Sequence, residues 1–538
     1  MKKTVITMLS LLVMTMSVRA QDNIRAIGAA MDTITRVFTM NNIVDRIADD
    51  IYRRQPSAAL AARIGKSYYN YVEDNESGER NFYKNDTARA FYFIREAIKL
   101  DKTCAPAYVL AGDILAYQGM KDEAIAWLND GIKHNPTDST LYKASNEVLF
   151  NVARAEVRKS REAGRTDVDF MALYQPAIDQ LKKLKEKDPN YPLDLELGRF
   201  YYKLFDKGGV TPWVQMAESY GRADRNSFSQ GDFQAYALAL TQSQQFSTGV
   251  DITEFALKKY PEDHALNQAH FFCALGLAQN EKDAANAVSL YKKAVEAADK
   301  YFAVGIKSRF DALDYLRYGE AHSGAKSYDK AIKTYNDVLK MPGISEKDVN
   351  TAYSKINYTV VGMAYDYINN HDFDQAFAIL EKYISELQTQ GRLDYYLFAN
   401  YARAYMMLSS NQEGEQKMAT LQKASDVYSQ VITLFPDNEI LAVNSQFTIH
   451  VMMDSDSEAG LAKPYAEKLI ALVAASEMPS QSDLTKMASA YEYLTYYYFI
   501  KHKWNDAVDF ADKVLAINPN SDRASRIKDI AIKYAKRR

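Results

Sequence analysis

Seven histidines, two cysteines and several acidic and aromatic clusters are the residues of this chain whose types suit metal, nucleophilic or acid–base chemistry. Their spacing argues against each. Among His134, His264, His270, His322, His371, His450 and His502, the nearest pair is His264 and His270, and a six-residue step turns two helical side chains away from one face. No third or fourth ligand accompanies them, so no metal site is expected. Asp454-Ser455-Asp456-Ser457-Glu458 has the composition of a calcium loop but lacks its glycine and distal glutamate, and is expected to be a solvated loop. Tyr496-Tyr497-Tyr498-Phe499 suggests a sugar-stacking platform, but four successive helical residues point four ways, which favours core packing. Cys104 and Cys273 are too few for a disulfide framework and are expected as two unbridged thiols. The glycine-rich phosphate and dinucleotide loops, the G-x-S-x-G elbow and H-E-x-x-H are all missing. The chain is therefore expected to be no enzyme and to need no cofactor.

The elements that hold these residues are helices. With 22 glycines and 13 prolines in 538 residues, few turns are available to interrupt them, and a many-stranded fold is excluded. Hydrophobic residues make up 47% of the chain, with 39 Tyr and 23 Phe, which supplies a continuous core. Residues 1–20 read as a signal peptide: Lys2 and Lys3, an apolar run from Val5 to Met16, then Val18-Arg19-Ala20. No cysteine follows for a lipid anchor, and no later run is apolar enough to span a bilayer, so no integral membrane segment is expected once the leader is cleaved. Removing the leader takes three basic residues and moves the formal charge from −3 to −6, which gives nucleic acid no electrostatic purchase. The last segment opposes this trend with Arg523, Arg526, Lys528, Lys533, Lys536, Arg537 and Arg538, and is expected to be a solvated basic capping helix.

Between Ala107 and Pro136, apolar and small residues recur at three- and four-residue intervals in two runs broken at Gln118-Gly119. A proline follows a small residue by twelve positions at Ala124–Pro136, Ala177–Pro189, Gly249–Pro261, Ala424–Pro436 and Ala507–Pro519. The preceding twelve-residue step is present at Gly112–Ala124, Ala237–Gly249 and Gly319–Ala331. Tyr108, Tyr315, Tyr358 and Tyr491 take the filler position on the first helix, and Tyr291, Tyr335 and Tyr428 on the second. This pattern resembles the tetratricopeptide repeat. The resemblance implies an all-α fold, an α-α superhelix in the form of a right-handed solenoid of about eleven helix pairs. The expected division is an N-terminal helical segment at 21–55, one array at 56–262, a second at 263–519 and the capping helix at 520–538. Departures from register predict an inserted loop over Tyr71–Lys84, a second insertion around Ser409–Gln416, an offset over Asp206–Asp232, and a long helix from Leu141 to Arg161.

In such arrays the first helix of each pair lines the ligand-facing surface. Counting from the small residues, the resemblance places Lys66, Tyr69, Tyr117, Arg199, Tyr202, Glu320, Tyr367, Arg403 and Tyr496 on that stripe as partner-binding candidates. The Lys/Arg/Asn clamp with which some members grip a C-terminal carboxylate is missing. The expected function is an exported scaffold, periplasmic or surface-associated, that binds an envelope protein or peptide. The alternative is a glycan-binding component of an outer-membrane uptake system, against which the three tryptophans and the missing lipoprotein cysteine count. Asp32-Thr33-Ile34, Asp86-Thr87-Ala88 and Asp138-Ser139-Thr140 resemble O-glycosylation acceptors of some Bacteroidota.

Overall fold

The structure, a computed structural model, describes residues 20–38, 41–74 and 79–536. Of the leader only Ala20 is among them; the rest of it, Asn75 to Gly78, and the terminal Arg537 and Arg538 lie outside the described residues. The chain divides into two compact units, residues 1–273 and 274–538.

The first unit opens with α1 (Ala20–Val37) and α2 (Asn41–Arg54). Next come α3 (Ala58–Tyr68), a hairpin of β1 (Tyr69–Glu73) and β2 (Arg80–Asn85), and α4 (Thr87–Leu100). The pair α5 (Ala105–Tyr117) and α6 (Lys121–His134) precedes α7 (Ser139–Glu162), a short α8 (Phe170–Leu173) and α9 (Gln175–Lys187). Then follow α10 (Leu193–Lys203) with α11 (Trp213–Arg222), and α12 (Gln230–Gln242) with α13 (Phe246–Leu257). Helix α14 (His264–Asn280) carries the division between the units and is followed by α15 (Ala284–Val304). The second unit continues with α16 (Ala312–Gly324) and α17 (Tyr328–Val338), then α18 (Glu346–Asn369) and α19 (Phe373–Thr389). Its last pairs are α20 (Tyr395–Ser409) with α21 (Gly414–Leu434), α22 (Glu439–Met453) with α23 (Lys463–Ala474), and α24 (Gln481–Ile500) with α25 (Trp504–Ile517), before α26 (Asp522–Ala535). Among the described residues these make eleven successive helix pairs from Ala58 to Ile517, a solenoid-type all-α architecture with one added hairpin.

The small residues of the register do the packing assigned to them. Ala124, Ala177, Ala424 and Ala507 are fully buried, as are Ala237 and Ala331, and Gly249 and Gly319 are buried too. A methyl group on Gly112 would lie 2.8 Å from Leu128 of α6, so the two backbones meet there only because a side chain is missing. Starts are set by caps: Asp86 and Asp138, both from the D-[ST]-x triplets, accept from the backbone N–H groups of Arg89 and Thr140. The third triplet lies within α1, where Asp32 accepts from Arg63 at 2.5 Å and from the buried Ser67 hydroxyl at 2.7 Å, fastening α1 to α3.

Three expectations are corrected. Tyr71–Lys84 is not a loop: most of it forms the antiparallel hairpin, pairing Tyr71 with Phe82 across a bulge after Asn70. Alternation in Tyr69-Asn70-Tyr71 and Arg80-Asn81-Phe82 puts Tyr69, Tyr71 and Phe82 in one aromatic cluster, so the strands have a common side to bury. The second insertion, around Ser409–Gln416, falls on the turn 410–413 and the start of α21, which runs 21 residues. Tyr358 is no core filler. In its pair the twelve-residue step runs from Ala364 to Ala376, both buried, so the filler four residues earlier is Val360 and Tyr358 is 57% exposed. The acidic segment at Asp454 is not simply solvated: Asp454 and Ser457 are buried, and the Asp454 carboxylate accepts from the N–H groups of Ala459, Gly460 and Leu461 at 3.1, 2.6 and 3.1 Å. Those bonds, which outweigh the opposing effect of burial, hold its pKa below the usual range.

The long helix is borne out in α7, of 24 residues. At the irregular segment, α10 runs into a π-helical turn, Leu204–Gly208, which Gly209 ends at φ 72°. Cys104 and Cys273 are both free and buried. No helix among the described residues is long and apolar enough to cross a membrane.

Candidate binding face

In the second unit the first helices α16, α18 and α20 are joined along one face by side chains. α18 starts at a Ser345 cap, whose hydroxyl accepts from Asp348 N–H at 3.1 Å, and runs 24 residues against the 17 of α19. Such a length leaves part of its N-terminal half uncovered. An open groove of about 690 Å³ follows that half, lined by Glu346, Lys347, Asn350, Thr351, Ser354, Lys355 and Tyr358. Toward α16, Lys355 donates to Glu320, and burial pushes its ammonium pKa below the ordinary value. Toward α20, the Tyr358 ring lies 4.6 Å from that of Tyr396. Arg392 donates to Asn350 at 3.0 Å. Further along α20, Arg403 is exposed, and its hydrogen bond to Tyr365 raises its pKa. The groove thus combines hydroxyls, an amide, a lysine–glutamate pair and a tilted tyrosine pair, a set able to hydrogen-bond and to make aromatic contacts.

The other 24-residue first helix, α7, also carries a hollow, in the first unit. It measures about 420 Å³, with Leu149, Val152, Leu173 and Pro176 in its lining and Lys121, Glu156 and Lys159 beside them.

The nine candidates from the sequence are divided between the units, five in the first and four in the second. Glu320 and Arg403 belong to the groove region, and Tyr367 is half-buried in the core around α18. Tyr496 lies under Arg523, whose guanidinium is 5.0 Å from the ring centroid. In the first unit Lys66 is exposed on α3, whereas Tyr69 is 2% exposed and is corrected from a contact residue to a core one. Tyr69, Tyr71 and Tyr117 surround Arg80, which the sequence reading missed. Its guanidinium is 4.2 Å from the Tyr71 centroid and 4.7 Å from that of Tyr117, and it pairs with Asp113 at 2.5 Å. Tyr202 is 40% exposed beside Phe205 and the π turn.

Arg199 is not isolated. It donates to both oxygens of the buried Asp232 at 2.9 and 2.8 Å and to Glu196 at 2.8 Å. Asp232 also closes the capping box of α12 with Ser229. Burial pushes its pKa up, but Arg199 and Ser229 outweigh that and hold it at about 2. This is a clamp between consecutive pairs. The groove residues Lys355, Tyr358 and Tyr396 were also missed; for Tyr358 the reason is that the assumed register on α18 was two residues off and assigned it to the core.

Residues 105–138 match the family described as tetratricopeptide repeat. These residues are α5, α6 and the turn beyond them. No curated protein matches the chain. Among solved structures, the C-terminal part of a TPR repeat-containing protein from Cytophaga hutchinsonii is 20% identical, covering 55% of this chain and 98% of that one, with a TM-score of 0.35. A tetratricopeptide repeat protein from Parabacteroides merdae is 12% identical over 63% of this chain and 98% of that one, TM-score 0.26. A thermophilic TPR protein from Thermus thermophilus is 15% identical over 40% and 99%, TM-score 0.23. Superpositions this loose carry no argument about the site.

Proposed function

We propose that this chain, which carries a tetratricopeptide repeat at residues 105–138, is a non-catalytic scaffold of the cell envelope that binds a partner protein or peptide along its first helices. The observation that supports the reading is the groove on α18, which ends on the exposed Tyr358 in ring contact with Tyr396. Tyrosine and arginine are the side chains that most often carry binding energy, and Arg403 lies on the same set of helices. An extended segment along Asn350, Thr351 and Ser354 would find donors and acceptors for its backbone and an aromatic anchor at one end. Export rests on the leader-like residues 1–20.

The test is a pull-down from envelope extracts with the chain and a Tyr358→Ala/Tyr396→Ala/Arg403→Ala variant, followed by mass spectrometry. A protein retained by the first and lost from the second supports the scaffold. Equal retention by both removes this face from the reading. A second reading, glycan binding, is favoured by the hydroxyl and amide lining beside a tyrosine pair. It takes the lead if protein-free glycan fractions, and no protein, are retained in a Tyr358-dependent way.

A further inference from the structure

At one end of the α24–α25–α26 stack, two basic clusters distant in sequence are brought together. The turn Lys501-His502-Lys503 joins α24 to α25, with His502 held at φ 56°, and Trp504 opens α25. The Trp504 ring lies 5.0 Å from that of Tyr534 near the C-terminal end of α26, at an interplanar angle of 20°, and 5.5 Å from Phe499. That stack sets Lys501 and Lys503 beside the helix end that carries Lys533 and Lys536. All four lysines are exposed. On α26 itself, Arg526, Ile530 and Lys533 follow at four- and three-residue steps and so share a face. Ile530 is 41% and Tyr534 47% exposed.

This face is set apart by charge of one sign gathered beside exposed apolar and aromatic side chains. Two basic residues of α26 are paired: Arg523 faces Glu492 at 3.9 Å and Lys528 pairs with Asp512 at 2.5 Å. Among the described residues Lys501, Lys503, Arg526, Lys533 and Lys536 form no ion pair, although Asp506 and Asp529 lie nearby on α25 and α26. Residues 520–538 hold seven basic side chains against two acidic ones, in a chain whose net charge is −3. Positive charge is therefore concentrated here while the remainder is acidic, which would orient the molecule at an anionic surface.

We infer that this face docks peripherally on an anionic lipid surface. Lysines would approach the headgroups, with Ile530 and the aromatic Trp504–Tyr534 pair at the interfacial level. A lipid surface is favoured over an acidic protein segment because half-exposed apolar and aromatic side chains are interspersed with the unpaired lysines, the combination that interfacial binding uses. The surface is separate from the groove on α18, so the two can fail independently.

The test is sedimentation of the full chain with vesicles of phosphatidylcholine alone or with about one third phosphatidylglycerol. Binding is expected to the anionic vesicles only, and to weaken as salt rises. A basic side chain near such a surface contributes roughly fivefold, so Lys501→Gln/Lys503→Gln/Lys533→Gln/Lys536→Gln should lose about several hundred-fold in partitioning. A control, Lys182→Gln/Lys183→Gln/Lys187→Gln on α9, should lose almost none. Lysine acetylation footprinting of the unmodified chain keeps the test independent of how the variant folds: vesicles should protect Lys501, Lys503, Lys533 and Lys536 and not Lys182, Lys183 or Lys187. No binding, salt-independent binding, equal loss in the control, or absence of that protection overturns the proposal. Binding to polyglutamate without binding to vesicles also overturns it and assigns the face to an acidic protein.

Discussion

Replacing Arg199 by alanine separates two roles for one residue, ligand contact and clamp. Its guanidinium satisfies both oxygens of Asp232, which is 4% exposed, and Asp232 in turn caps α12. Asp232 is held at about 2 against an ordinary carboxylate value of 3.8. A shift of that size corresponds to roughly 2.5 kcal/mol at about 1.4 kcal/mol per unit. Because the Arg199 side chain is 43% exposed, solvent screens the pair. The residual Ser229 bonds also survive the substitution. An expected cost of about 2 kcal/mol therefore lies between that of a surface pair and that of a buried pair losing one partner. For a unit of this size it corresponds to a fall of about 4–8 °C in the transition that includes α10–α12. Since solenoid units need not melt as one, calorimetry should be paired with hydrogen exchange of α10 and α12 amides. The sign with pH follows from the depressed pKa. The stabilisation is fully present above about pH 4, and it is lost as pH falls through about 2, so the two melting curves should converge on acidification. A shift below about 1 °C at neutral pH, or a difference that does not shrink in acid, would refute the clamp.

Three other outcomes are expected. Gly319→Ala puts a methyl group into the ring of the fully buried Tyr335 on α17, and Ala331→Leu overfills the same junction; each should cost about 1–3 kcal/mol in urea denaturation. Tyr358→Ala, at a side chain 57% exposed, should weaken partner retention while leaving the melting temperature within about 1 °C. Both cysteines should resist a thiol reagent in the native chain and react after unfolding, since burial raises the Cys104 thiol and pushes that of Cys273 up to about 11; rapid native labelling would contradict the packing of Cys273 against Gly249.

The repeat was legible because it depends on local spacing. A small residue, a second one twelve positions on and a proline twelve beyond fix where two helices touch and where a pair ends, so eleven pairs could be counted before any packing was known. Capping residues are equally local: Asp86 and Asp138 need only their own helix to act. The face of an individual side chain is decided differently. Tyr358 turned outward because Ala364, and not Gly362, is the small residue that meets α19, a choice made by the partner helix. Arg199 has the type and spacing of a contact residue, yet a carboxylate 33 residues away claims it. The inserted segment paired into a hairpin because Tyr69, Tyr71 and Phe82 had one another to bury against. Periodicity along the chain determines the elements, because each turn of helix recognises only its own neighbours. Which surfaces remain free depends on residues tens of positions apart, whose competition for the same neighbours is settled only when the helices stack.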